Sequence, residues 1–419
     1  MSSYQKGGGG IGPGIRHFRR DASHEQSHSL QGDGPLPPLA AHPLACPDPP
    51  EFVQTASALE EMIAHLTSVG SFAFDSEFIG EMSYVPRLCL VQAATVKKVF
   101  IVDPLAGVDL AGFWELIVSP AMEKVVLAGQ QDFGPAVLGT GRAPANIMDL
   151  QIAAGFLHVD WPLSLSKLVQ EFVGVPLGKG LTFTHWDNRP LSAVQMRYAA
   201  DDVRYLPAAA AVIAGRLAER GRSAWAREEC AAALEDIALY RPAPESMYLR
   251  VRGRDRFNRR VLAVLRELAI FRDEAARREN VPPRTLLNDG VLAALARRPV
   301  HNLADLDAVR GLPRPVEERY GRQIVEATTR ALALPESQYP PRDPGDTHEV
   351  TERVDKLWAA IGELCVRQSV APALVAGRKE LARFCRLAAA GKPLEGHRLG
   401  RGWRKELLGD LMRQFLQSP

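Results

Sequence analysis

Cysteine is scarce in this chain, with five residues among 419 and no pair spaced as C-x-x-C. An odd number of scattered cysteines fits neither a zinc site nor a disulfide framework, so we expect a protein of the reducing cytoplasm. Long apolar runs are also missing: none reaches the roughly 18 residues of a transmembrane helix, so no membrane association is predicted. The N-terminus lacks the apolar segment of a signal peptide.

The net charge of the whole chain is only +2, but the two halves of the chain differ in the sign of their charge. Residues 1–240 carry 18 Lys and Arg against 26 Asp and Glu, a net charge of −8. Residues 241–419 carry 33 against 23, a net charge of +10. An acidic half joined to a basic half suggests a metal or catalytic site in the first and a polyanion-binding surface in the second.

Length and local pattern divide the chain into a tail and three domains. The first 50 residues contain a glycine run and a proline-rich stretch, which predicts a disordered tail. Short β-type runs then alternate with helical patterns and predict a mixed sheet flanked by helices, whereas only helical patterns follow residue 240. The predicted units are a tail at 1–50, an α/β domain at 51–240, and two small all-α domains at 241–335 and 345–419.

Two carboxylates stand two residues apart in the apolar, aromatic run at residues 72–78. Residues i and i+2 of a strand share a face, so Asp75 and Glu77 would project side by side from a strand that is otherwise buried. A hard divalent cation such as Mg²⁺ or Mn²⁺ would neutralise their repulsion. Two solvated acids at the end of a strand would produce the same pattern.

Further acidic positions can be weighed with this pair. Asp132 follows an apolar strand and would lie at an edge of the sheet. Asp149 stands near the start of a predicted helix, and its role could simply be to cap that helix. Tyr198 and Asp202 are four residues apart and therefore share one helix face, with Asp201 as the alternative acid.

The order of these residues resembles the DEDD superfamily of 3′ to 5′ exonucleases, tyrosine subtype, and within it the ribonuclease D family. Four more segments resemble that family in the same order: Leu88-Cys89-Leu90-Val91-Gln92, Ile101-Val102-Asp103-Pro104-Leu105, Met148-Asp149-Leu150-Gln151-Ile152-Ala153-Ala154, and Trp186 followed by Arg189-Pro190-Leu191. Residues 257–333 resemble an HRDC domain, and the C-terminal segment resembles the second helical domain of the family. One departure is Leu127, which stands where the family often has His.

The resemblance implies a ribonuclease H-like α/β exonuclease domain followed by two small all-α HRDC-like domains. It implies two divalent cations, Mg²⁺ or Mn²⁺, on four ligands, together with a tyrosine that orients or deprotonates the attacking water. The ligands would be Asp75, Glu77, Asp132 and Asp202, and the tyrosine would be Tyr198.

The implied activity is hydrolysis from the 3′ end of RNA, with tRNA precursors among the substrates and no obligate protein partner. A DNA-directed exonuclease and an inactive nucleic-acid-binding module are the alternatives.

An arginine cluster crowds the start of the HRDC-like region and suits contacts to phosphates. Its members are Arg250, Arg252, Arg254, Arg256, Arg259 and Arg260. A solvated charged face would have the same composition. Trp186 and Phe183 could stack the bases of a single strand, or could pack in the core.

Overall fold

The computed structural model describes residues 39–80, 82–178, 184–235, 237–342, 345–394 and 396–417. Residues 1–38, the greater part of the predicted tail, lie outside these ranges. None of the helices in the described ranges is both long and apolar enough to cross a membrane.

A single mixed sheet organises the N-terminal half of the described chain. Its strands are β1 Glu51–Val53, β2 Ser71–Ile79, β3 Arg87–Ala94, β4 Val99–Val102, β5 Glu123–Val126 and β6 Ile147–Asp149. They lie in the order β1-β4-β3-β2-β5-β6, which makes β2 an interior strand. The β2, β3 and β4 strands form an antiparallel meander, and β5 joins β2 in parallel.

Helices cover both faces of this sheet. They are α1 Ala56–Val69, α2 Ala111–Val118, α3 Gly134–Thr140, α4 Leu150–Ala154, α5 Leu165–Val173, α6 Ala193–Arg204, α7 Leu206–Glu219 and α8 Ser223–Ala232. Strand periodicity divides the core: Phe72 and Phe74 of β2 pack against Phe113 of α2, whereas Ala73 belongs to the core on the side of α6. The predicted mixed sheet flanked by helices is confirmed.

The C-terminal half is entirely helical in its described ranges, apart from its loops. Its helices are α9 Arg259–Glu279, α10 Pro283–Leu286, α11 Asp289–Arg297, α12 Arg314–Ala333, α13 His348–Gln368, α14 Pro372–Val375, α15 Arg378–Ala389 and α16 Gly402–Gln417. The α9 to α12 helices, which we call the first helical domain, enclose a core of their own around Leu265, Leu292 and Ile324.

The α13 to α16 helices, which we call the second helical domain, share their core with the α/β domain. The buried ring of Trp403 packs edge-on against Phe156, with centroids 4.7 Å apart, and lies 5.9 Å from Trp225. The Arg404 guanidinium donates to both carboxylate oxygens of Glu229, at 2.6 and 2.9 Å. The last helices therefore complete the packing of the first domain.

Residues 39–50 differ from the predicted tail. The Ala45 and Cys46 side chains are buried in the same core as α6. The Arg204 guanidinium donates to the carbonyls of Cys46 and Asp48, at 2.5 and 2.8 Å. The tail prediction for 1–50 is thus corrected at its end, because carbonyls from residues 39–50 satisfy a buried arginine of α6.

Candidate active site

Strand β2 carries the first two acidic residues into the site. Asp75 and Glu77 are partly buried and share the sheet face on which α6 lies. The strand pairing shifts between Glu77 and Phe78, so a bulge follows the second acid. Bulges bend a strand near functional sites and can re-aim a side chain, which fits an acidic pair in the second half of β2.

Asp132 reaches the same region from the turn after β5. This turn is tight: Ala128 has a φ of 56°, and a Cβ on Gly129 would come within 2.7 Å of Val126. Asp149 holds the turn in place, since its Oδ1 accepts from the Ala128 N–H at 3.0 Å and also caps α4. Asp149 therefore has the structural role of a cap.

The Asp132 carboxylate accepts a hydrogen bond from the Ser76 hydroxyl at 2.5 Å, which brings it beside β2. Burial raises the pKa of Asp132 well above its ordinary value, and the negative charges of Asp75 and Glu77 raise it further. The bond from Ser76 acts in the opposite direction. Two of the predicted ligands, Asp75 and Glu77, thus lie close enough to a third, Asp132, to oppose its ionisation.

Helix α6 supplies the other two predicted residues. It starts at a capping box in which Ser192 and Gln195 satisfy each other's backbone N–H groups, and it packs across β2, β3 and β4. Asp202 is buried, with 9% of its surface exposed. The partly buried Tyr198 lies one turn earlier, with its ring 6.1 Å from that of Trp186.

Asp201, the alternative acid, is held by two arginines. Its carboxylate accepts from Arg197 at 2.6 Å and from Arg204 at 3.1 Å. These bonds give Asp201 a role in joining α6 to the N-terminal segment. The choice of Asp202 as the ligand stays a prediction, and this pairing of its neighbour supports it.

The chemistry of the four acids fits a hard divalent cation. Carboxylate oxygens are the ligands that Mg²⁺ and Mn²⁺ prefer, and a cation would offset the repulsion that raises the pKa of Asp132. As the side chains stand, no three His, Cys, Asp or Glu within the described ranges are arranged to hold an ion.

An ion pair that the sequence pattern did not indicate fixes the segment before α6. Arg189 donates to both carboxylate oxygens of the buried Asp103, at 2.8 and 2.6 Å, and to the Trp186 carbonyl at 2.8 Å. Trp186 is only 5% exposed, so its ring packs in the core against Tyr198 and does not present a surface for bases. Phe183, the other residue considered for stacking, lies outside the described residues.

A second residue of interest is Gln92 on β3, which faces Asp75 directly across the strand pair. Its side chain is fully buried, and neither amide atom has a hydrogen-bond partner among the described residues. A buried polar group without a partner costs about 1–3 kcal/mol, so this amide lowers the stability of the fold beside the acidic cluster.

The arginine cluster is distributed over a mostly exposed surface. Arg259 donates to the carbonyls of Glu336 and Tyr339, at 3.0 and 3.1 Å, and so fastens the linker after α12. Arg254 is partly buried, and the other five arginines of the cluster are exposed. Phosphate binding stays a prediction for all six.

The mixed sheet, the acids on β2 and the Tyr-x-x-x-Asp helix across the same face define a 3′ to 5′ exonuclease domain of the ribonuclease H-like class. A family model described as 3'-5' exonuclease matches residues 50–211, and one described as HRDC domain matches residues 261–328.

Similar proteins agree with this class. Ribonuclease D of Gluconacetobacter diazotrophicus is 34% identical over 87% of this chain and 92% of its own length. Ribonuclease D of Acidiphilium cryptum is 32% identical over 86% and 91%. The crystal structure of Escherichia coli RNase D matches with a TM-score of 0.77 and 25% identity, over 88% of this chain and 99% of that one. The chain therefore belongs to the ribonuclease D family of exoribonucleases, and the predicted family is confirmed. Membership of this family implies that the activity depends on a divalent metal.

Proposed function

We propose that this protein is a cytoplasmic exoribonuclease that uses two divalent cations to trim the 3′ ends of structured RNAs, tRNA precursors among them. The observation that carries the proposal is the position of Asp132 beside Asp75 and Glu77, where burial and then the charges of those two acids raise its pKa, an effect that a bound cation would relieve. The matched Escherichia coli RNase D is described as an exoribonuclease involved in structured RNA processing. Five free, buried cysteines fit a reducing compartment.

In this proposal Asp75, Glu77, Asp132 and Asp202 hold two ions, Mg²⁺ or Mn²⁺, through their carboxylate oxygens. Cations held by these four carboxylates would supply Lewis acidity, which lowers the pKa of a water, and positive charge beside the leaving oxygen. The β2 strand and α6 are packed against each other, so the fold holds together the elements that carry Asp75, Glu77 and Asp202 before substrate arrives.

The Tyr198 hydroxyl orients the attacking water. The ring is held by its contact with Trp186, and Trp186 is held in turn by the pair of Arg189 and Asp103. The hydroxyl therefore needs little reorganisation when water binds, which is the property that a positioning group requires.

The basic half of the chain would supply contacts to the RNA backbone. Residues 241–419 carry a net charge of +10, and Arg250, Arg252, Arg256 and Arg260 are exposed there. Contacts of this kind are independent of sequence and weaken as salt concentration rises.

The test is the degradation of end-labelled, 3′-extended tRNA and of DNA of the same sequence, in Mg²⁺, in Mn²⁺ or in EDTA. We expect 3′ to 5′ shortening of the RNA in either metal and none in EDTA. Faster shortening of the DNA would favour a DNA-directed exonuclease, and no shortening of either would favour an inactive binding module.

The Asp202→Asn variant, with Asp201→Asn as the matched control, tests which acid serves the site. Asp202→Asn should abolish cleavage because it removes a ligand charge, whereas Asp201→Asn should have a mild effect. If Asp201→Asn abolishes cleavage and Asp202→Asn does not, the assignment of the ligand is wrong.

A further inference from the structure

The loop between β2 and β3, described at residues 80 and 82–86, is bonded to the first helical domain through Tyr84. The Tyr84 hydroxyl donates to the Asp273 carboxylate, whose two oxygens lie 2.8 and 2.9 Å away. The same hydroxyl accepts from Arg277 at 3.1 Å, and the Arg277 guanidinium lies 5.2 Å from the centroid of the Tyr84 ring. The Tyr84 N–H also donates to the Asn280 side chain, at 3.3 Å.

These contacts all reach one end of a single helix. Asp273 and Arg277 lie one turn apart near the C-terminal end of α9, and Asn280 is the cap of that helix, with a φ of 52°. Asp273 is buried, so the hydroxyl of Tyr84 satisfies a carboxylate that has little access to water. A hydrogen bond to an ionised group in such a place is among the stronger ones in proteins.

The rest of the loop is unusual for its exposed apolar side chains. Met82 is 81% exposed and Val85 is 55% exposed. The exposed arginines Arg87, Arg277 and Arg278 are neighbours in sequence of the loop or of its attachment. Arginines bind the phosphates of a nucleic-acid strand, and exposed apolar side chains on the loop would give its bases apolar surface to bury.

The loop also continues directly from the catalytic strand. It begins immediately after β2, three residues beyond Glu77, and the bulge between Glu77 and Phe78 lies within that interval. Because β2 is interior to the sheet, its body is fixed on both sides, whereas the loop depends on contacts made elsewhere. The hydrogen bonds of Tyr84 with α9 are contacts of this kind, and they attach the loop to the first helical domain.

We propose that Tyr84 and Asp273 form a clamp by which the first helical domain holds the β2–β3 loop as one wall of the path that leads the 3′ strand of RNA to the acids. Tyr84 is thus a positioning residue for RNA binding. This inference rests on the proposed function for its ligand, but the clamp itself is a contact between two domains and can be measured without RNA.

The test uses the full chain with Tyr84→Phe, which keeps the ring and its contact with Arg277 and removes the hydroxyl. Tyr320→Phe is the matched control, because the Tyr320 hydroxyl also donates to a carboxylate, Glu279 at 2.5 Å, but within the first helical domain. Two quantities are measured: amide hydrogen exchange of residues 82–87, and the Kd for a 3′ single-stranded RNA of about 12 nucleotides in EDTA, where cleavage is not expected.

We expect Tyr84→Phe to increase exchange in the loop and to weaken RNA binding about 10-fold, the scale of one hydrogen bond to a charged group. Asp273→Ala should have the same effect, and the double variant should be no worse than either single one. Asp273→Asn should restore part of the loss, since its amide oxygen can still accept from Tyr84. Tyr320→Phe should change neither quantity.

Unchanged loop exchange in Tyr84→Phe would overturn the clamp. Increased exchange with an unchanged Kd would overturn the role of the loop in RNA binding. If the losses of RNA affinity in Tyr84→Phe and Asp273→Ala add up in the double variant, the two side chains act independently and do not form one clamp. If the wild-type protein binds RNA but does not shorten it, the proposed function fails while the clamp can still be judged by exchange and Kd.

Discussion

Tyr198 has either a catalytic role or a structural role, and removal of its hydroxyl oxygen distinguishes the two. Replacement by Phe removes the hydroxyl and keeps the ring that packs against Trp186. We expect kcat to fall about 100-fold or more, the range of groups that position or transfer protons. The Kd for RNA and the melting temperature should stay near those of the wild type, because the packing volume is conserved. A normal kcat in steady-state assays would remove the catalytic role.

Asp132 predicts how stability depends on pH. Burial, reinforced by Asp75 and Glu77, raises its pKa, so without metal the folded protein keeps a proton that the unfolded chain releases at lower pH. The resulting stability is present below the ordinary pKa of Asp and is lost as the pH rises through the raised value. Melting temperatures of the wild type in EDTA should therefore fall with pH across this window relative to those of Asp132→Asn.

Mg²⁺ should reduce this difference, because a cation favours the charged form of the carboxylate. The matched control is Asp160→Asn, whose side chain is exposed and distant in sequence from the acids of β2. Parallel pH curves for the wild type and Asp132→Asn in EDTA would contradict the prediction.

Replacement of Gln92 by Leu should raise the stability of the protein. Its fully buried amide has no hydrogen-bond partner among the described residues, so Gln92→Leu removes an unsatisfied polar group at nearly constant volume. We expect the free energy of unfolding to rise by about 1–3 kcal/mol, measured by urea denaturation. A decrease would mean that the amide is satisfied in solution.

At the scale of elements, α6 connects the site to the N-terminal segment. Its inner face carries Tyr198 and Asp202, and its last residue, Arg204, binds the carbonyls of Cys46 and Asp48. The helix is therefore held at one end by a segment that has almost no secondary structure of its own. The glycine- and proline-rich composition of the first 50 residues did not indicate that residues 39–50 belong to the fold.

A chain that begins at residue 51 should consequently be less stable than one that begins at residue 39. The loss should be at least about 2 kcal/mol, since two hydrogen bonds to a buried guanidinium disappear. Thermal denaturation of the two shortened proteins and of the full chain measures the effect. If removal of residues 1–38 alone is equally costly, the prediction of a disordered tail is wrong for those residues.

At the scale of the whole molecule, the second helical domain and the α/β domain share one core. Burial alone would raise the pKa of Glu229, but the hydrogen bonds and charge of Arg404 lower it overall, so the carboxylate is held ionised inside the protein. Trp403 adds a third bond, from its indole N–H at 2.9 Å. A chain cut near residue 240 would lose this cover and expose Phe156 and Trp225.

Arg404→Ala should therefore destabilise the whole protein by about 3 kcal/mol, because it leaves a buried carboxylate without its main partner. Arg413→Ala is the control: Arg413 pairs with Asp410 on the surface, where an ion pair contributes little. Calorimetry of both variants measures the two effects. Equal melting temperatures would show that the second helical domain is not coupled to the stability of the α/β domain.

The sequence by itself determined what depends on local spacing and on resemblance. Asp75 and Glu77 share a face because strands have a period of two, and Tyr198 and Asp202 share one because helices place residues four apart together. The same local patterns, read with the family resemblance, gave the mixed sheet and the helical C-terminal half. The roles of those four side chains stay predictions that the variants above can test.

Tertiary structure alone decided the contacts between residues that are far apart in sequence. Asp103 meets Arg189 across 86 positions, Tyr84 meets Asp273 across 189, and the C-terminal Trp403 fills a core begun by Phe156. No spacing rule connects such residues, because their approach depends on how the chain crosses between strands and on which helix returns to which face. The same reason hid the packing of residues 39–50, whose burial follows from the position of Arg204 rather than from their own composition.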